Sequence, residues 1–229
     1  MAICTRDGAE TSMNKTALTV LVAFAVAGCA SKPAPPAWKS NASDALKGYS
    51  DAWLKGNTSI AESEFARARS EIASTGRPDL VAFAELVRCA SRVASLEYDE
   101  CPGFAALASD ATAGERAYAD YLTGRWQGLD AALLPEQHQA VVRAVPGAAT
   151  GVLAAIQDPL SRMVAAGALM QAGRIGPADI VLATETASGQ GWRRPLLMWL
   201  GVAQKRAQAA GDAAEVSRIQ RRIDVALPR

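Results

Sequence analysis

The stretch "PLLMWLGVAQKRAQAAGDAAEVSRIQRRIDVAL" (Pro195 to Leu227) decides the fold. Leu196, Trp199, Leu200, Ala203 and Ala207 recur at helical intervals and line one face, with Pro195 suited to a first helical turn. Gly211-Asp212 then breaks the pattern: Gly fits a helix exit, Asp fits an N-cap, and Glu215 three residues on completes an arrangement like a capping box. Val216, Ile219, Ile223, Ala226 and Leu227 form the face of the next helix. Two amphipathic helices joined by so short a break read as an antiparallel hairpin.

Working outward, Asp158-Pro159 opens a helix that runs through Ala172 and is closed by Gly173. Gly176-Pro177 opens a shorter one ending near Gly189. Two helix pairs therefore follow each other. "GRIGPA" (Gly173 to Ala178) and "GDAAEV" (Gly211 to Val216) occupy equivalent turns 38 residues apart. Near the other end, "GNTSIAESEFARA" (Gly56 to Ala68) places Ala61, Phe65 and Ala68 after its glycine. These turns and small-residue spacings resemble tetratricopeptide repeats, where Gly closes the first helix and small and aromatic positions let the second pack on it. The chain departs from that pattern where Gly201 to Gly211 runs long, and the expected aromatic is missing after Gly173 and Gly211. The resemblance implies an all-α, tetratricopeptide-like array of antiparallel helical hairpins with a concave face for peptides or proteins.

Composition agrees with helices, because alanine is abundant and aromatics make up only 6% of residues. Ala117, Tyr118, Tyr121 and Leu122, within Thr112 to Leu122, are spaced as a core face. From Leu129 to Ile156 the pattern is short and punctuated by Pro135 and Pro146-Gly147, and it reads as a connection between helical groups.

The amino-terminal stretch "TALTVLVAFAVAGCASK" (Thr16 to Lys32) poses a different problem. As a helix its apolar part would cover roughly 18 Å of a roughly 30 Å hydrocarbon core, so it is too short to span. Lys15, the apolar run and the closing small residues have the layout of a secretory signal. Val26-Ala27-Gly28-Cys29 resembles the lipobox of bacterial lipoproteins. That resemblance implies cleavage before Cys29, a diacylglyceryl group on its thiol, and further acylation, palmitate among the chains. Several chains anchor stably where a single one binds only marginally. Asp7 and Glu10 sit where a leader should be positive, so the secreted chain is expected to start at Met13, leaving Cys4 outside it. Ala30 and Ser31 follow the lipidated position without an Asp. By the sorting rule of enteric lipoproteins this implies delivery to the periplasmic face of the outer membrane rather than retention at the inner one.

The expected organisation is a leader over residues 1–28, a lipidated Pro-rich tether over 29–43, an N-terminal helical region over 44–157 and a C-terminal helix-pair region over 158–229. The last two form one domain. Trp38, within the tether, is read either as an anchor in the membrane interface or as an idle linker residue.

Cys89 and Cys101 remain once Cys29 carries lipid, and in an oxidising compartment they are expected to form a disulfide. Such a bridge needs the helix from Pro78 to end near Leu96 and the chain to double back. The rival reading, a redox pair or metal site, lacks a C-x-x-C spacing and has only His138 to offer. No metal and no cofactor is expected. The formal net charge of +1 carries no field suited to nucleic acid, which is not expected as a partner.

No catalytic motif emerges: there is no G-x-S-x-G, phosphate loop, HExxH or EF-hand. His138, in "LLPEQHQAV", is expected on a solvated face. Glu97, Asp99 and Glu100 surround the Cys101 turn and are the acids that a glycan-cleaving enzyme would use, although adjacent surface acids are usually just hydrated. "GQGWRRPLLMW" places Arg193 and Arg194, after Trp192, at a helix start. There their charge opposes the helix dipole unless protein acids or a bound anion meet it. The leading expectation is a non-catalytic protein-interaction or assembly module, held at the membrane by its lipid and docking an envelope protein. An envelope enzyme or enzyme regulator acting on cell-wall glycan, and a lipid-binding helical protein, are the alternatives.

Overall fold

The computed structural model describes residues 36–227. The expected leader, the Val26 to Cys29 motif with the expected lipidation at Cys29, and residues 29–35 of the expected tether lie outside the described residues. Those described form eleven α-helices and one 3-10 turn, with no strand among them. In chain order they are α1 (Ala37–Leu54), α2 (Thr58–Ala73), α3 (Pro78–Ala94), α4 (Pro102–Ala105) and α5 (Ala113–Leu122). The 3-10 turn Ala131–Leu133 follows, then α6 (Glu136–Arg143), α7 (Thr150–Ala155) and α8 (Pro159–Gln171). α9 (Pro177–Gly189), α10 (Arg193–Ala209) and α11 (Ala213–Ala226) complete the chain. The architecture is all-α and built from helical hairpins.

The first hairpin is made by small residues. Ala45, Tyr49, Ala52 and Trp53 of α1 are buried against Ala61, Phe65 and Ala68 of α2. Alanines on both sides let the axes approach, and the Tyr49 ring fills the gap 5.4 Å from the Phe65 centroid. The chain reverses at Gly56, whose φ of 88° suits a residue without Cβ.

The tether expected over 29–43 does not reach residue 43, because α1 begins at Ala37 and residues 37–43 are helical. Pro36 fixes the entry, and Ala42 and Ala45 are already buried in the hairpin. Trp38 is accordingly a residue of α1, not of a linker.

α3 and α8 form the centre. From Met163 to Leu169 every residue of α8 is buried, as expected of a helix enclosed by neighbours. It packs on α3, α5, α6, α7 and α9, while α3 meets α1, α2, α4 and α5. Gly167 of α8 lies directly on the backbone of Val93. Its carbonyl accepts a hydrogen bond from the Tyr98 hydroxyl at 3.0 Å.

The two carboxy-terminal helix pairs have the predicted bounds to within a residue or two. Asp158 accepts from the Ser161 N–H at 2.7 Å, and Asp212 from the Glu215 N–H at 2.9 Å, so both act as N-caps. Gly173 and Gly211 sit at φ 66° and 72° at the helix exits. Trp199 of α10 is fully buried, with its indole N–H 3.4 Å from the Ala94 carbonyl. Leu200, Ala207 and Ile219 make a smaller core between α10 and α11.

Cys89 and Cys101 form the disulfide, with Cα atoms 5.4 Å apart. α3 ends at Ala94 and the chain doubles back through Leu96 at φ 57°. Glu100 and Cys101 also adopt the left-handed conformation, at 59° and 51°. The irregular connection is tied down by Arg174, which donates to the Val142 and Ala144 carbonyls at 3.0 and 2.6 Å and lies over the Trp126 ring. No helix among the described residues is long and apolar enough to cross a membrane.

Candidate functional site

A concavity follows from an excess of apolar residues on α3. Ala82, Leu86, Cys89 and Val93 face the core. Leu80, Phe83 and Val87 form a second stripe at helical spacing, and the core does not fully cover it. Phe83 is 49% exposed and lies beside Leu80 and Val87, so the uncovered apolar area there is continuous.

Three hollows adjoin here, two of them on α3 and the third beyond it between α6, α7 and α8. The central one, about 630 Å³, has Leu86, Val87 and Ala90 of α3, Tyr118 of α5, Leu134, and Leu160 and Val164 of α8 among its walls. A second, about 450 Å³, lies between the start of α1 and α3, against Trp38, Ala42, Leu46 and Leu80. It shares Phe83, Val87 and Leu160 with the central hollow. A third, about 510 Å³, is bounded by Ala140, Val152 and Ile156 and shares Gln137, Asp158 and Ser161. Together they make one open apolar groove of ligand-binding size.

His138 corrects the expectation of a solvated side chain: it is 1% exposed and lines the central hollow. On α6, His138 and Val141 are three residues apart and both turn inward. The Tyr121 hydroxyl and His138 Nδ1 are hydrogen-bonded at 3.2 Å, beside the rings of Tyr118 and Tyr121. Burial pushes its pKa down to about 4, so the imidazole is neutral near pH 7. The same burial pushes the hydroxyls of Tyr118 and Tyr121 upward. Asp158 and Ser161 border the same hollow, but Asp158 caps the Ser161 N–H and neither is hydrogen-bonded to His138. Nucleophile, base and orienting acid are not assembled here.

The acids around Cys101 are engaged by arginines. Glu97 Oε1 is 3.1 Å from Arg194, and Glu100 is 2.8 Å from Arg125. Asp99 is 3.1 Å from Arg92 Nε, an ion pair without hydrogen-bond alignment. Each of the three carboxylates is thus held by a guanidinium.

Arg194 meets protein partners, the first of the two sequence-based options. Its Nε donates to the Trp53 carbonyl at 2.8 Å, and its terminal nitrogens to Glu97 and to Thr58 Oγ1 at 3.1 and 2.6 Å. The guanidinium lies 3.8 Å from the Trp53 ring centroid. It therefore fastens α10 to the α1–α2 hairpin and has no free fork for an anion. Arg193 is exposed and Trp192 packs against the main core, so the three residues do not converge on a site. Among the described residues no group of three or more His, Cys, Asp or Glu side chains could hold a metal ion.

The groove was missed in the sequence. Its signal was α3's overly wide apolar arc, in which Leu80, Phe83 and Val87 recur beside the stripe that faces the core.

These features define a helical-hairpin protein with an open apolar groove and no assembled catalytic constellation among the described residues. Comparison with protein-family models, curated proteins and solved structures finds no match.

Proposed function

We propose that the chain is a lipid-anchored protein of the bacterial envelope whose helical body docks another protein. The anchor is Cys29 of the Val26 to Cys29 motif, and the body faces the periplasm from the outer membrane. The tetratricopeptide-like reading of the hairpins supports the same role. The observation that carries the proposal is the open groove around half-exposed Phe83. A contiguous uncovered apolar patch marks an interaction site, and the hairpin architecture favours a protein as its occupant. The rival enzyme is weakened by the arginine-paired state of Glu97, Asp99 and Glu100. The lipid-binding alternative needs an enclosed cavity, whereas these hollows open to solvent.

Intact mass of the chain recovered from bacterial membranes tests the address. The expected result is a first residue at Cys29 carrying diacylglycerol and an amide-linked acyl chain. An unmodified, uncleaved amino terminus on cytosolic material would remove the envelope reading.

A further inference from the structure

Resting on that docking reading, we infer that the groove is electrically polarised and takes a partner helix with an apolar stripe, acidic residues toward one end and basic residues toward the other. The central hollow shares walls with both outer ones, and these share none with each other. The three therefore form a row. Among the described residues, the hollow at the start of α1 has Lys39 and Lys47 as its only charged walls. At the opposite end the charged walls are Glu136 and Asp158, with Glu115 in the middle. None of these five side chains has an ion-pair partner among the described residues. Elsewhere some exposed charges are paired, such as Lys55 with Asp51 and Arg218 with Glu215, and others, such as Asp44 and Lys205, are not, so it is the sorting of sign along the groove that distinguishes it. Glu115 and Asp158 are held in place as caps, Glu115 by the Thr112 N–H at 2.7 Å and Asp158 by the Ser161 N–H.

The row chooses among occupants. A fatty acid or lysolipid has one polar end, so it leaves one set of charges facing its apolar body. A neutral glycan leaves the apolar floor unmatched. An extended strand needs a free sheet edge, and no strand exists among the described residues. A helix satisfies its own backbone and presents apolar side chains at successive turns, which fill successive hollows. Oppositely charged ends then fix its direction along the groove.

The test uses the full chain as recovered from cells and three synthetic amphipathic helical peptides sharing one apolar stripe. One carries Lys at one end and Glu at the other, one Lys at both ends, and one Glu at both. Fluorescence anisotropy should rank the mixed peptide about fivefold tighter than either other, with the ranking collapsing at high salt. Lys39→Glu with Lys47→Glu, two exposed positions, should move the preference to the all-lysine peptide. Phe83→Ala should weaken all three alike, locating them in the groove. Equal affinities unchanged by the charge reversal would overturn the inference, as would binding of a palmitate probe with no binding of any peptide. Either result leaves the Cys29 anchor untouched, because intact mass reads it separately.

Discussion

Gly167 of α8 rests on the carbonyl of Val93 in α3, so close that a β-carbon at residue 167 would lie well inside van der Waals contact of that oxygen. The two central helices thus meet backbone to backbone, and the groove on α3 inherits its shape from this crossing. Gly167→Ala should destabilise by about 1–3 kcal/mol through overpacking. Gly201→Ala, in α10 with open space where the added methyl group would lie, should instead stabilise by about 0.5–1 kcal/mol from helix propensity. Urea denaturation of the two variants should move the midpoint in opposite directions.

His138 predicts an acid-sensitive fold. Its pKa is about 4 in the folded chain against 6.5 in the unfolded one, so between these values only the unfolded chain takes up the proton. Its contribution is complete above about pH 6.5 and is lost as pH falls toward 4, by about 3 kcal/mol in all. His138→Asn, whose amide can still meet the Tyr121 hydroxyl, should flatten this dependence in chemical denaturation at pH 7, 5.5 and 4.5.

Arg194→Ala should cost about 1–3 kcal/mol, because the Trp53 carbonyl and Glu97 lose a donor in a half-buried setting. Arg194→Lys should recover less than half of that, since an ammonium cannot reproduce the fork or its stacking on Trp53. Loss of binding without loss of stability in Arg194→Ala would return this residue to the ligand site.

Reducing the Cys89–Cys101 disulfide should lower stability by about 3 kcal/mol in the chain-entropy account. Glu100→Gly should act the other way. It relieves a left-handed residue at φ 59° and removes only an exposed ion pair to Arg125, for a gain of about 1 kcal/mol by thermal or urea unfolding.

Much of this fold was legible from local chemistry. Asp158, Gly173, Asp212 and Gly211 announce their helix ends because caps and left-handed exits are properties of single residues. The bridge between Cys89 and Cys101 followed from two thiols and a turn between them. His138 was misread because its burial depends on a distant element, Tyr121 of α5, and Trp38 because the first helix already begins at Ala37. The groove is legible least of all, since it exists only where α1, α3, α5 and α8 leave the Leu80, Phe83 and Val87 stripe uncovered.

A photocrosslinking residue at position 83, expressed in intact cells, tests the docking claim most directly, with Val181 of α9, exposed and outside the groove, as the control. The account predicts a discrete adduct to a helical segment of one envelope protein from position 83 and none from 181. Adducts only to lipid or glycan from position 83, or the same protein adduct from both positions, would contradict it.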